Sequence, residues 1–263
     1  MRYALGIEYD GAAFFGWQRQ SHASSVQQSV EKALGIVANH AVTVICAGRT
    51  DTGVHARGQV VHFDSPSERS ERQWILGINS NLPDTVRVLW MCAVDDSFHA
   101  RFGAHSRSYQ YRILNRWVRP AIGVSYLGWC REALDEKHMH EAAQFLIGKH
   151  DFSAFRSAGC SAKHASREVT ELSVSRQEEI VTVDITANAF LYHMVRNIVG
   201  SLIAVGRGEK SVQWFADVFH GQDRKLAGVT AESRGLCFMS VRYDPKYGLP
   251  EQAEPFPFAD VDS

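Results

Sequence analysis

Two βαββαβ halves joined in one α/β (α+β) chain are the fold class this sequence predicts, and three observations predict it. Strand-like and helix-like segments follow one another as strand, helix, strand, strand, helix, strand, the ferredoxin-like split βαβ order. The same order then runs a second time, as a repeat of pattern rather than of residues. Between two strand-like runs of the first half lies the polar connection Ala47-Gly48-Arg49-Thr50-Asp51-Thr52-Gly53-Val54-His55-Ala56. Rigid flanks can hold such a loop still, which places chemistry there and a cleft between the halves.

Each element has a local reason. Arg2 to Asp10 alternates, with Tyr3, Leu5, Ile7 and Tyr9 on one face, as a half-buried strand does. A loop with Gly11, Gly16 and three aromatics (Phe14, Phe15, Trp17) follows. Ser25 and Gln28 read as a capping box, opening a helix whose stripe is Val26, Val30, Leu34 and Val37. Val42 to Cys46 and Gln59 to Phe63 are β-branched or aromatic runs bounded by glycine, hence strands. A helix from about Glu71 to Asn79 and a strand from Thr85 to Val94 close the first half.

The second half opens with Arg107 to Leu114, where Tyr109, Tyr111 and Ile113 alternate with Ser108, Gln110 and Arg112. Asp135 is a candidate N-cap for a helix reaching about Ile147. Strands Glu168 to Ser175 and Ile180 to Ala187 flank the polar turn Arg176 to Glu179. A helix from about Phe190 to Val205 carries an apolar stripe of Leu191, Met194, Val195, Ile198, Val199, Leu202 and Ile203, with His193, Arg196 and Gly200 on the other face. An extra helix over Val212 to Phe219 and a strand over Leu236 to Tyr243 complete the order. The predicted division is residues 1–104, residues 105–245, and an acidic, proline-containing tail over 246–263.

Composition narrows the function. Hydrophobic content of 45% and charged content of 22% are those of a globular protein. No apolar run approaches the ~20 residues of a membrane span, so no membrane partner is expected. No basic or apolar leader precedes Tyr3, which predicts no signal peptide. Five dispersed cysteines without a C-x-x-C pair point to buried thiols in a reducing compartment, the cytoplasm. A net charge of −1 hides an uneven distribution: Ser97 to Arg131 holds six arginines and no Asp, Glu or Lys. Such a stretch can track phosphates, or can lie scattered over solvated faces.

Asp51 is the first candidate for chemistry. A carboxylate between hydroxyls also ties down turns through its own backbone bonds, and Tyr109 on an alternating strand is by default a core residue. Asp51-Thr52-Gly53 matches the aspartic-protease tripeptide, but that dyad needs a second such carboxylate and the chain has one D-T-G. His138 and His140 point to different faces of a helix, and His55 and His62 lack partners at ligand spacing, so no metal is expected. No phosphate-binding glycine motif and no RNP1-like octapeptide is found, so no nucleotide cofactor is expected either.

Gly48-Arg-Thr-Asp-Thr-Gly-Val-His55 resembles the G-R-T-D-A-G-V-H motif of the TruA family of tRNA pseudouridine synthases. Further blocks resemble it in the family's order: Tyr9-Asp-Gly, Gly16-Trp-Gln-Arg-Gln20, Ser25-Val-Gln27, Phe98-His-Ala-Arg-Phe102, Arg107-Ser-Tyr-Gln-Tyr111, Asp151-Phe-Ser-Ala-Phe155 and Asn188 through Asn197. The resemblance spans residue 3 to about residue 243. It implies a pseudouridine synthase fold with a central cleft, active as a homodimer. The implied reaction is isomerisation of uridines 38 to 40 in the anticodon stem-loop of tRNA, without metal or organic cofactor. It implies Asp51 as the catalytic carboxylate, Tyr109 as the aromatic beside the target base, and Arg196 as the cation that pairs with Asp51. Arg49, Thr50, Gly53 and His55 then belong to the RNA-contacting loop. Arg19, Arg101, Arg107, Asn188 and Phe190, each inside a matching block, become further RNA contacts. Two places depart from the family pattern: Thr52 stands for the usual alanine, and Ala231 to Phe238 keeps only Ala, Gly and Leu of the A-P-x-x-G-L-x-L block. An idle RNA-binding relative and a D-T-G hydrolase are the alternatives.

Overall fold

Alternation at the start of the chain produces β1 (Arg2–Tyr9), which the computed structural model places antiparallel between β3 (His55–Asp64) and β4 (Val86–Val94). Residues 1–250 are described; the acidic tail from residue 251 onward lies outside the described residues. Helices α1 (Val26–Ala38) and α2 (Glu71–Asn81) complete the first half, with the stub β2 (Ile45–Cys46) paired to β3. The order β4-β1-β3-β2 is the ferredoxin-like one. Ser70 and Gln73 cap α2 reciprocally, whereas at α1 only Ser25 contributes its half, accepting the Gln28 N–H at 3.3 Å.

The second half repeats the plan with β5 (Ser106–Asn115), α3 (Glu136–Gln144), β8 (Ser166–Gln177), β9 (Ile180–Ala187), α4 (Met194–Gly206), α5 (Val212–Gly221) and β10 (Leu236–Arg242). Two short strands add to it, β6 (Gly128–Cys130) beside β5 and β7 (Gly148–Asp151) at the sheet edge. The halves fuse: β10 pairs antiparallel with β5 and parallel with β3, so one ten-stranded sheet runs β4-β1-β3-β10-β5-β9-β8-β7, with β2 on β3 and β6 on β5 beside this path.

The seam has a particular packing. Tyr109 and Phe238 face each other across the β5–β10 ladder and share a face of the sheet. Phe238 belongs to the core built on α1 and α2, and Tyr111, two residues beyond Tyr109, to the core built on α3, α4 and α5. The helices of both halves therefore lie on one face, and Tyr109 touches both cores.

Several expected bounds shift for physical reasons. The expected strand Val42 to Cys46 shrinks to two residues, because Val44 N–H donates to the buried Glu31 carboxylate (3.1 Å) instead of a neighbouring strand. β3 begins at His55 rather than Gln59, which makes His55 a strand residue. α4 begins at Met194 rather than Phe190, because His193 turns into the left-handed region at φ 59°. The turn Pro245–Tyr247, which carries the start of the expected tail, packs instead of trailing away: the Tyr247 ring lies 5.1 Å from that of Phe98.

Candidate active site

Asp51 stands on the β2–β3 loop, and that loop is held on several sides. Asp51 closes a turn by accepting the Val54 N–H on its own carbonyl (3.1 Å), with Gly53 at φ +76°. Thr50 is buried, its hydroxyl 2.7 Å from the Tyr9 phenol and its carbonyl accepting the Trp17 N–H at 3.0 Å. Gln59, fully buried on β3, donates to the Gly48 carbonyl at 2.6 Å. The first core thus grips both shoulders of the loop and leaves Asp51 at its tip, with the side chain 28% exposed.

Two side chains from the second half meet that carboxylate. Arg196 Nη1 lies 3.6 Å and His193 Nε2 3.4 Å from the same oxygen, Oδ2. Arg196 is itself tethered: its Nε donates to the Ala231 carbonyl (2.8 Å), and its own carbonyl accepts the Ala231 N–H (3.0 Å). The segment Ala231 to Phe238, where the sequence departs from the family pattern, therefore fixes the arginine through backbone atoms that any residue supplies. Asp51 is flanked by a cation and an imidazole.

Tyr109 rises from the seam beside the loop. Its ring is half-buried, edge-on to Phe190 and to Phe238, each with ring centroids 4.9 Å away. A methyl group on Gly48 would come within 3.9 Å of the Tyr109 hydroxyl, which measures how closely the loop passes. Burial, and then the neighbours Tyr9 and Asp51, push that hydroxyl above its ordinary value, so Tyr109 presents a protonated phenol at neutral pH.

The remaining sequence candidates divide. Arg49 and Arg101 are exposed, and Arg101 leans over the exposed Phe102 ring at 5.5 Å. Arg19 is half-exposed and ion-paired to Glu31. Asn188 is exposed, but its side-chain oxygen accepts the Glu168 N–H at 3.1 Å. Arg107 is buried, and its guanidinium donates to the carbonyls of Ala47, Ala104, Arg101 and Asn188. It bolts the base of the Asp51 loop to the second half, leaving its donors engaged with backbone. His55 is likewise buried, 4% exposed: Nδ1 accepts the Gly11 N–H (3.1 Å), Nε2 faces the Ser125 carbonyl (2.7 Å), and the ring lies tilted against Tyr126 with centroids 4.7 Å apart. It ties the two halves together.

His193 is the residue the sequence reading left out of the site. Its spacing of three from Arg196 put both on one helix face, but the expected helix from Phe190 gave no reason for the imidazole to leave the helix and reach Asp51. A cavity of about 340 Å³ lies one turn further along α4, lined by Tyr111, Gly200, Arg207, Thr230 and Glu232 among others. None of Asp51, Tyr109 or Arg196 lines it, so these three candidates and this hollow are separate features.

Comparison with known proteins adds an independent finding. A family model described as tRNA pseudouridine synthase matches residues 6–103 and 142–244. A protein named tRNA pseudouridine synthase A from Xylella fastidiosa (strain M23) is 53% identical over 251 residues, 95% of this chain and 98% of that protein. One of the same name from Stenotrophomonas maltophilia (strain K279a) is 54% identical over 253 residues, 96% of this chain and 99% of that protein. A solved chain from a Cbf5-Nop10-Gar1 complex is 11% identical at a TM-score of 0.41, covering 90% of this chain and 48% of that one, a likeness too weak to build on.

Proposed function

This chain belongs to the tRNA pseudouridine synthase family, and on that premise we propose that it isomerises uridine to pseudouridine at positions 38 to 40 of the tRNA anticodon stem-loop. Asp51 acts as nucleophile or base, Tyr109 packs on the target base, and Arg196 pairs with Asp51. The observation that carries the reading is one partly exposed carboxylate, delivered by the first half, facing an arginine and an imidazole from the second, beside a half-buried tyrosine at the seam.

The reaction moves C1′ of the ribose from N1 to C5 of the base and one proton from C5 to N1, with nothing oxidised or reduced. A carboxylate can attack carbon or accept the C5 proton, and these are the tasks the net change requires. Tyr109 offers a ring for stacking and a phenol that stays protonated, so it can donate a hydrogen bond and does not serve as a phenolate base. The target base has to leave its stack to reach Asp51, which costs least for uridines in or beside a loop. The exposed guanidiniums Arg49, Arg101, Arg119 and Arg131 supply phosphate contacts, the last three from a run of sequence without acids.

The reading extends to a homodimer in the cytoplasm, working without metal or cofactor. The five cysteines are all free, which supports a reducing compartment, and no helix among the described residues is long and apolar enough to cross a membrane.

The test is tritium release from tRNA labelled at uridine C5, wild type beside Asp51→Asn, with no added metal or cofactor. Release by the wild type alone, with tRNA binding retained by both, is the expected result. Binding without release by the wild type would favour an idle RNA-binding protein; equal release by both would move the chemistry to another residue.

A further inference from the structure

The geometry points to His193 as a positioning residue for Asp51: its Nε2–H and the Arg196 guanidinium hold the same carboxylate oxygen, turning the other toward the substrate. This inference rests on the proposed tRNA chemistry at Asp51 and adds to it a residue that neither the motif nor the arginine pairing brings in.

Convergence on one atom is the first observation. His193 Nε2 and Arg196 Nη1 approach Oδ2 at 3.4 and 3.6 Å, from two positions at the start of α4. A carboxylate facing a neutral imidazole can only accept, so the nitrogen facing it carries the hydrogen. At these distances the contacts are loose, and a closure of about 0.5 Å on substrate binding makes them hydrogen bonds. Holding one oxygen from two sides restricts rotation about the last side-chain bond of Asp51, the torsion that decides which lone pair meets the reacting carbon.

The backbone of His193 is the second observation. It sits at φ 59° and ψ 9°, in the left-handed region that strains a side-chain-bearing residue. It makes no side-chain cap to α4, so capping does not explain the imidazole. Glycine or asparagine would hold this turn with less strain, and neither carries a ring that reaches Asp51.

Its surroundings keep it in place and uncharged. Tyr192 stacks on the imidazole with ring centroids 3.8 Å apart. Tyr192 is in turn clamped, its N–H donating to the Cys160 sulfur (3.4 Å) and its carbonyl accepting the Ser157 N–H (3.2 Å). The charged groups facing His193 are Asp51 from the β2–β3 loop, Arg196 from α4 and Arg224 from the turn after α5. Burial, then Arg196 and Arg224, depress its basicity against the opposing pull of Asp51, so the ring is a neutral donor near pH 7.

The experiment compares wild type, His193→Gly and His193→Gln in the tritium-release assay, with melting temperature and tRNA KM measured alongside. Glycine relieves the backbone, so the fold survives while the donor is lost; the expected result is a fall in kcat of roughly tenfold to a hundredfold with KM within about twofold. Glutamine reaches about as far as Nε2 and restores part of kcat, a rescue that a merely structural role of the ring would not give. A glycine variant with wild-type kcat, or a loss confined to KM, overturns the assignment while leaving the tRNA reading intact. A wild type that releases no tritium overturns the tRNA reading and this assignment with it.

Discussion

Arg196 serves two neighbours with one planar group, and that shape is its function. Nε donates to the Ala231 carbonyl while Nη1 turns to Asp51. An ammonium on a flexible stem can satisfy one of these and not both in fixed geometry. Arg196→Lys is therefore expected to keep the fold and tRNA affinity while kcat falls roughly tenfold to a hundredfold, read from single-turnover rates at saturating tRNA. That Arg196 and Tyr109 would lie near Asp51 was legible in the sequence because each stands in a motif, and the structure brings Arg196 to Asp51 and sets Tyr109 beside the same loop. His193 was hidden behind a periodicity that runs smoothly past it: nothing in Phe190-Leu-Tyr-His193 announces a left-handed residue, since such conformations are marked in sequence by glycine or asparagine. Arg107 and His55 illustrate the reverse difficulty. Charge and motif placed them on an RNA surface, whereas desolvation is tolerable for them because backbone carbonyls and an N–H satisfy their polar atoms.

At the scale of elements, α4 is located by a contact that admits no side chain. A β-carbon on Gly200 would lie 1.7 Å from the Val229 carbonyl oxygen, so the helix and the irregular segment before β10 touch backbone to backbone. Ala231, two residues on, is the anchor of Arg196. Gly200→Ala must push that segment away, and the expected outcome is a loss of about 1–3 kcal/mol in urea unfolding together with a drop in kcat. Gly221→Ala, at the end of α5 with nothing within 4 Å of the added carbon, is the control that leaves kcat unchanged. Most elements were legible because their apolar spacing is regular; the exceptions have reasons. β6 and β7 have three and four residues, too few to show a period. Val42 and Val44 look like strand and are buried like strand, yet a helix glutamate takes the Val44 N–H, a long-range choice that no local pattern carries.

The whole molecule is joined at the seam of the sheet, and its stability should depend on pH there. His62, buried on β3, accepts the Ala100 N–H at Nδ1 (3.1 Å) and so pins the connection between the halves to the sheet. Burial first, then the nearby His99 and Arg2, pull it down to about 4 from 6.5. A depressed folded-state value means the unfolded chain binds the proton more readily, so stability is full above 6.5 and is lost as pH falls toward 4. The expected loss is on the order of 2 kcal/mol across that window. It is measured by urea unfolding at neutral and acid pH, and His62→Asn, which keeps an acceptor and cannot titrate, should flatten it. The repeat of two ferredoxin-like halves was legible; their fusion through the parallel pairing of β3 with β10 was not, because register between distant strands leaves no mark in either one.

That pairing has a consequence for how the protein comes into being. Among the described residues β10 is the last strand made and one of the innermost in the sheet, with β3 on one side and β5 on the other. Until Leu236 to Arg242 has emerged from the ribosome, the nascent chain carries Asp51, Tyr109 and Arg196 with two unjoined edges and no floor between them. Its growing end thus acts as a latch: a chain interrupted after α5 keeps Asp51, Tyr109 and Arg196 but lacks both the strand that joins the halves and the Ala231 carbonyl that tethers Arg196.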